Sequence, residues 1–184
     1  MNKLNYDDYF LTLAYVVAQR SPDPSTKCGA VLVSSERRIL STGYNGPIKG
    51  VDDSMVPLER PAKYAHLLHA EENCLLAYSG CIQDLADATM YVTGAPCHKC
   101  LRMIIQKGVK NIVYTNGNLA VMQDIAEQEI CKLMLSYSNG VSIRVVSNLP
   151  QICELLQNTE TYIVKKNPDK FGLTETSWKQ LKSP

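Results

Sequence analysis

Two short stretches carry residue types that do chemistry together. Residues 69–72 read His-Ala-Glu-Glu, between the apolar pairs Leu67-Leu68 and Leu75-Leu76; residues 96–100 read Pro-Cys-His-Lys-Cys. On a helix, positions i and i+3 share a face, so Cys97 and Cys100 can aim both thiols at one atom from a first turn. A helix N-terminus also favours thiolate, the form that binds metal. Zinc takes sulfur and imidazole ligands in tetrahedral geometry, and His69 can supply the third ligand from a second helix start. No fourth ligand offers itself: His98 lies between the cysteines and should point away, and His66 is the only other histidine. Three protein ligands and an open position mark a catalytic zinc, which lowers the pKa of a bound water towards neutrality.

Glu71 then acquires a role. It lies two residues after His69, roughly 200° round a helix, so it should not share the ligand face. A carboxylate leaning over the reacting position can take a proton from water and deliver it to substrate. Each piece alone has a plainer reading. A Cys-x-x-Cys pair can be two small buried residues, a single histidine can be a packing residue, and Glu71 and Glu72 can be first-turn acids complementing a helix dipole. The joint arrangement carries the catalytic-zinc reading. Glu72, facing elsewhere, is read as a polar helix residue.

The elements that must position these groups follow from periodicity and turn chemistry. Residues 6–20 repeat apolar side chains at helical spacing and end in Ser-Pro-Asp-Pro-Ser-Thr. Strands are expected at 28–34 and 38–42, joined as a hairpin. Residues 43–62 form the longest irregular stretch, and a loop of that length is usually functional. A helix over 69–78 follows, then a strand at 89–93. Pro96 occupies a first-turn position of a helix over 97–107, which Gly108 caps. A strand at 111–115, a helix over 119–137, a strand at 141–146 and a short helix over 150–157 complete the order. Strands separated by helices imply parallel neighbours in an α/β sheet, with an antiparallel edge from the opening hairpin. We expect one domain over residues 1–158 and a C-terminal extension over 159–184.

Composition narrows the class. The 184 residues are 45% hydrophobic and 20% charged, as in an ordinary globular domain. A net charge of +1 argues against gripping a nucleic-acid backbone through bulk charge, yet leaves room for a local basic patch that binds one phosphate. Seven cysteines, an odd and unevenly spaced set, do not form a disulfide framework, so a reducing, cytoplasmic setting is expected. The apolar run 11–18 is too short to span a membrane.

The pairing of His-Ala-Glu with Pro-Cys-x-x-Cys resembles the zinc-dependent cytidine deaminase superfamily. Asp23-Pro24-Ser25-Thr26-Lys27-Cys28-Gly29, Gly43-Tyr44-Asn45-Gly46, Gly50-Val51-Asp52-Asp53, Lys63-Tyr64 and Met90-Tyr91-Val92-Thr93 are similar to its deoxycytidylate branch. The resemblance spans about residues 6–146. It implies a three-layer α-β-α sandwich around a five-stranded mixed sheet, a catalytic Zn2+ on His69, Cys97 and Cys100, and Glu71 as proton shuttle. It implies hydrolysis of dCMP to dUMP, supplying thymidylate synthesis. It places Asn45 on the sugar, Ser25, Thr26 and Lys27 on the 5′-phosphate, and the Ala70 backbone N–H on the pyrimidine carbonyl. It further implies a homohexamer, dCTP as activator, and dTTP with Mg2+ as inhibitor. Ala95 departs from the serine usual before Pro-Cys, and Cys28 stands where an apolar residue is common. Two alternatives stay open: a deaminase of another cytosine or purine compound, and a zinc module that senses nucleotides without turnover.

Overall fold

The computed structural model describes residues 4–115 and 125–146. Helix α1 spans Tyr6–Ala18. Its N-cap is Asn5, whose side chain accepts from the Asp8 N–H at 2.8 Å, and Asp7 and Asp8 complement the helix dipole. Strand β1 (Gly29–Val33) is buried throughout and pairs antiparallel with β2 (Ile39–Tyr44). Two short strands follow, β3 (Gly46–Pro47) and β4 (Leu67–Leu68), which pair with each other. Then come α2 (Ala70–Ala77), β5 (Thr89–Val92), α3 (His98–Gln106), β6 (Asn111–Thr115), α4 (Ile125–Tyr137) and β7 (Ser142–Val146).

The main sheet has the order β2-β1-β5-β6-β7. Its β5-β6-β7 half is parallel, as strands joined by helices require. The β1–β5 pair is antiparallel, contrary to the parallel neighbours expected across a helix. The reason is topological: α2 carries the chain from edge strand β2 over β1 to β5, so β2 and β5 run together while β1 between them runs against both. The sheet is therefore mixed, with five strands.

Alternation along the strands sorts side chains to two faces. Tyr91 meets Phe10 of α1, with ring centroids 5.1 Å apart. Ala30, Leu32, Met90, Val92 and Ile112 point the other way, into a core closed by Ala70, Cys74 and Leu75 of α2 and Leu101 and Ile104 of α3. Met134 and Leu135 of α4 pack against that same core. The architecture is the expected α-β-α sandwich.

The stretch 43–62 departs from a wholly irregular loop. Gly43 lies inside β2, and a Cβ there would meet Ala70 O and Cys74 N at 2.3 Å each. Glycine is needed because α2 crosses almost in backbone contact. Two further bonds fasten that crossing: Ser41 Oγ donates to Cys74 O at 2.8 Å, and Asn73 Nδ2 donates to Tyr44 O at 2.8 Å. Gly46 and Pro47 pair with Leu68 and Leu67, and single 3₁₀ turns occupy Asp53–Met55 and Ala62–Ala65. At the next helix start the cap is Cys97, so Pro96 precedes the helix instead of opening it. Gly108 takes φ +90°, the left-handed C-terminal cap that the sequence calls for. The helix expected at 150–157, the domain boundary near 158 and the extension over 159–184 lie outside the described residues, as do positions 119–124 of the expected fourth helix.

Candidate metal centre and substrate cavity

Helices α2 and α3 begin side by side on the same face of the sheet, and each is capped by a donor residue. His69 is the N-cap of α2 and Cys97 that of α3. An N-cap side chain points back across its helix start, so both project into the same gap. Cys100 joins them from the first turn of α3. His69 Nδ1 lies 3.5 Å from Cys97 Sγ and 3.3 Å from Cys100 Sγ. A tetrahedral zinc with Zn–S ~2.3 Å and Zn–N ~2.0 Å would hold its nitrogen and sulfur donors ~3.5 Å apart. The donor set and its spacing therefore fit zinc. Among the described residues these three form the one group of histidine, cysteine and acidic side chains that could hold a metal ion.

The electrostatics of this gap are unusual. The Cys97 thiol is pulled down to about 3, first by a hydrogen bond with Cys100 and then by the His69 ring, against the opposing effect of burial. Its hydrogen bond in turn raises His69 to about 9. Cys100 is driven upward by the same pairing and by burial. The cluster thus favours a thiolate on Cys97, the form that binds metal. Glu71, second residue of α2, is 5% exposed, and burial pushes its carboxyl up to about 7.

The neighbouring glutamate does something different. Glu72 accepts the His69 backbone N–H at 2.7 Å, closing the first turn of α2 on itself. This holds the backbone that carries the His69 ring, so Glu72 is more than a solvated charge. The sequence signal was available: an acid at N3 bonding back to the N-cap is half of a capping box. On α3 the corresponding anchor comes from α4. Glu127 accepts the His98 N–H at 2.6 Å and contacts the His98 ring at 2.7 Å. His98 thus points away from the thiols, as its position between them requires.

A cavity of about 180 Å³ opens beside the donors. His69, Ala70, Glu71 and Cys97 line it, together with Asn45, Thr26, Arg60 and Lys63. Its wall is organised by Asp23, which is 2% exposed. One Asp23 oxygen accepts Ser25 N–H at 2.9 Å, Ser25 Oγ at 2.9 Å and Thr26 N–H at 3.2 Å, an Asx-type turn. The other accepts Lys63 Nζ at 2.7 Å and Asn45 Nδ2 at 3.4 Å. Burial raises the Asp23 carboxyl, but the bonds from Lys63, Ser25 and Thr26 outweigh it and hold its pKa below the ordinary value.

The residues expected on substrate separate here. Asn45 and Thr26 face the cavity; the Asn45 amide also ties the wall, accepting Cys28 N–H at 2.7 Å and donating to Thr26 O at 2.8 Å. Ala70, first residue of α2, is fully buried on the lining, where a helix N–H has no partner within the helix. Ser25 and Lys27 are absent from the lining. The Ser25 hydroxyl bonds Asp23 and receives Lys63 Nζ at 2.6 Å. Lys27 Nζ turns back to the end of α1, donating to Ser21 O at 2.7 Å and Gln19 O at 3.3 Å. Arg60 and the Asp23–Lys63 pair are wall residues that the sequence reading missed. A second cavity of about 360 Å³ lies along residues 42–51, with Arg20 and Lys49 on its lining.

Comparison with known proteins agrees with this architecture. Residues 4–116 match the family described as the cytidine and deoxycytidylate deaminase zinc-binding region. The chain is 33% identical to deoxycytidylate deaminase of Mus musculus over 147 residues, covering 77% of this chain and 79% of that protein. It is 37% identical to that of Pongo abelii over 147 residues, with the same 77% and 79% coverage. In fold it resembles dCMP deaminase from the cyanophage S-TIM5 in complex with dCMP and dUMP, at TM-score 0.60 and 24% identity, covering 79% of this chain and 100% of that one. With a family match over most of its described length and two helix starts that converge on one zinc-sized gap, the chain belongs to the cytidine and deoxycytidylate deaminase family.

Proposed function

We propose that this chain is a zinc-dependent hydrolase that converts dCMP and water to dUMP and ammonia. The observation that supports it best is a buried carboxylate, Glu71, at the mouth of a His69–Cys97–Cys100 donor set, on the wall of a cavity that also presents Asn45 and the Ala70 backbone. His69, Cys97 and Cys100 would hold a zinc, which would supply Lewis acidity at the open position. The chain's own groups do the rest. The Ala70 N–H donates to the pyrimidine carbonyl and fixes the ring. Glu71 accepts a proton from the attacking water as oxygen bonds to C4, returns it to N3, and carries the next proton to the C4 amine, which leaves as ammonia. Asn45 orients the deoxyribose by its amide, held in turn by the Cys28 N–H.

The same reading extends to physiology. dUMP feeds thymidylate synthesis in the cytoplasm, and a homohexamer is activated by dCTP and inhibited by dTTP with Mg2+. The relatives' names support dCMP as substrate, and the second cavity, with Arg20 and Lys49 beside Asp53 on its lining, is a candidate place for an anionic effector. Among the described residues no helix is long and apolar enough to cross a membrane.

A single substitution tests the assignment. Glu71→Gln with zinc retained should abolish the absorbance change on incubation with dCMP, because the amide cannot shuttle protons. A zinc-loaded protein that never turns over dCMP, with or without dCTP, would sink the substrate assignment. Full activity in Glu71→Gln would favour a different proton carrier.

A further inference from the structure

We infer that Arg60, with Thr26, is the group that selects a 5′-phosphorylated substrate at this cavity; the inference rests on the nucleotide-deaminase reading above. Apart from the metal-donor histidine, two cations line the wall, Arg60 and Lys63. Lys63 is 3% exposed and bound to Asp23 Oδ2 at 2.7 Å and Ser25 Oγ at 2.6 Å, so its charge is neutralised inside the wall. Lys27 is turned to the carbonyls of Gln19 and Ser21. Arg60 differs on each count. It is exposed, it lines the cavity, and no carboxylate pairs with it among the described residues.

The contacts of Arg60 suit an anion. Its Nη2 donates to Thr26 Oγ1 at 3.4 Å, and its guanidinium carbon stands 6.0 Å from the Tyr64 ring centre. The Thr26 hydroxyl accepts from Arg60 and keeps its own proton to donate onward. A phosphate monoester, with its negative charge and acceptor oxygens, matches a planar guanidinium bidentately and a hydroxyl donor beside it. An uncharged 5′-hydroxyl gains little from the same pair. Arg60 would therefore discriminate nucleotide from nucleoside while leaving base recognition to Ala70 and Glu71.

Product binding reads this without turnover. Zinc-loaded protein is titrated calorimetrically with dUMP and with deoxyuridine, in the unsubstituted chain, Arg60→Ala and Lys27→Ala. Arg60→Ala should weaken dUMP by roughly tenfold to hundredfold, the usual range for a lost charge-assisted contact, and leave deoxyuridine within about twofold. Retained deoxyuridine affinity also shows that the variant is folded. An Arg60→Ala protein whose preference for dUMP over deoxyuridine is unchanged overturns the assignment, as does a larger loss in Lys27→Ala. An unsubstituted protein that binds dUMP and deoxyuridine alike instead refutes the nucleotide reading itself.

Discussion

The buried pair behind the cavity wall offers the sharpest test of how this site is held. Lys63 Nζ and Asp23 Oδ2 are 2.7 Å apart, with side chains 4% and 3% exposed. Replacing Lys63 by Met keeps the aliphatic stem and deletes the charge. The Asp23 carboxylate is then left buried without its cation, a change that costs about 3–5 kcal/mol in such settings. Four donor contacts remain on it, from the Ser25 N–H and hydroxyl, the Thr26 N–H and Asn45 Nδ2. They place the expected loss near the lower end, at about 3 kcal/mol by urea denaturation. Asp23→Asn combined with Lys63→Met should lose less than the sum of the single changes, by about 1–3 kcal/mol. The pH dependence has a definite sign. The folded-state pKa of Asp23 lies below the ordinary aspartate value, so its contribution is full above that ordinary value and is lost as pH falls through the folded pKa. In Lys63→Met the raising effect of burial is no longer opposed by the lysine, so the gap between the two proteins should narrow on acidification from pH 7 to about pH 4. Additive single and double losses, or a gap independent of pH, would refute the claim that this ion pair builds the wall.

Two other perturbations reach the site from different directions. Gly43→Ala sets a methyl 2.3 Å from backbone atoms of Ala70 and Cys74, so α2 must move; a stability loss of at least about 1–3 kcal/mol and a fall in dCMP turnover exceeding that of a surface control should follow, measured by denaturation and by steady-state assay. Removing zinc by chelation should lower the melting temperature by several degrees, and adding zinc back should restore it, because a ligand bound only to the folded chain stabilises it by mass action. An unchanged melting temperature in Cys100→Ser on zinc addition is the matching control, since that variant removes one of three donors.

The convergence of His69, Cys97 and Cys100 was legible because helix geometry fixes it. Cys97 and Cys100 stand three residues apart at a helix start, and that spacing alone brings two sulfurs to one side. His69 needed only to cap the adjacent helix. The cavity wall obeys no such local rule. Ser25, Thr26 and Lys27 are consecutive, yet the Asx turn at Asp23 ties the first to its own carboxylate, sets the second on the cavity and leaves the third turned back to α1. The wall is also tied by Lys63, 40 positions away, through a bond to Asp23 that no periodicity reveals. The antiparallel β1–β5 pair escaped for a similar reason: the order of elements was read correctly, but which strand α2 skips is a tertiary choice.

The two adjacent carboxylates show where local rules stop and tertiary ones begin. Both sit in the first turn of α2, where any acid is favoured by the helix dipole. Glu72, at N3, can bend back to the N-cap amide, and it does so at 2.7 Å, which fixes the His69 backbone. Glu71, at N2, has no such return path and is carried by the helix rotation towards the cavity, where it is 5% exposed. One carboxylate is therefore engaged in a structural bond, while burial of the other pushes its carboxyl up to about 7. The capping acid and the acid proposed to carry protons both neighbour His69, and a substitution at Glu72 should act on turnover through the placement of His69, whereas one at Glu71 should act on it directly.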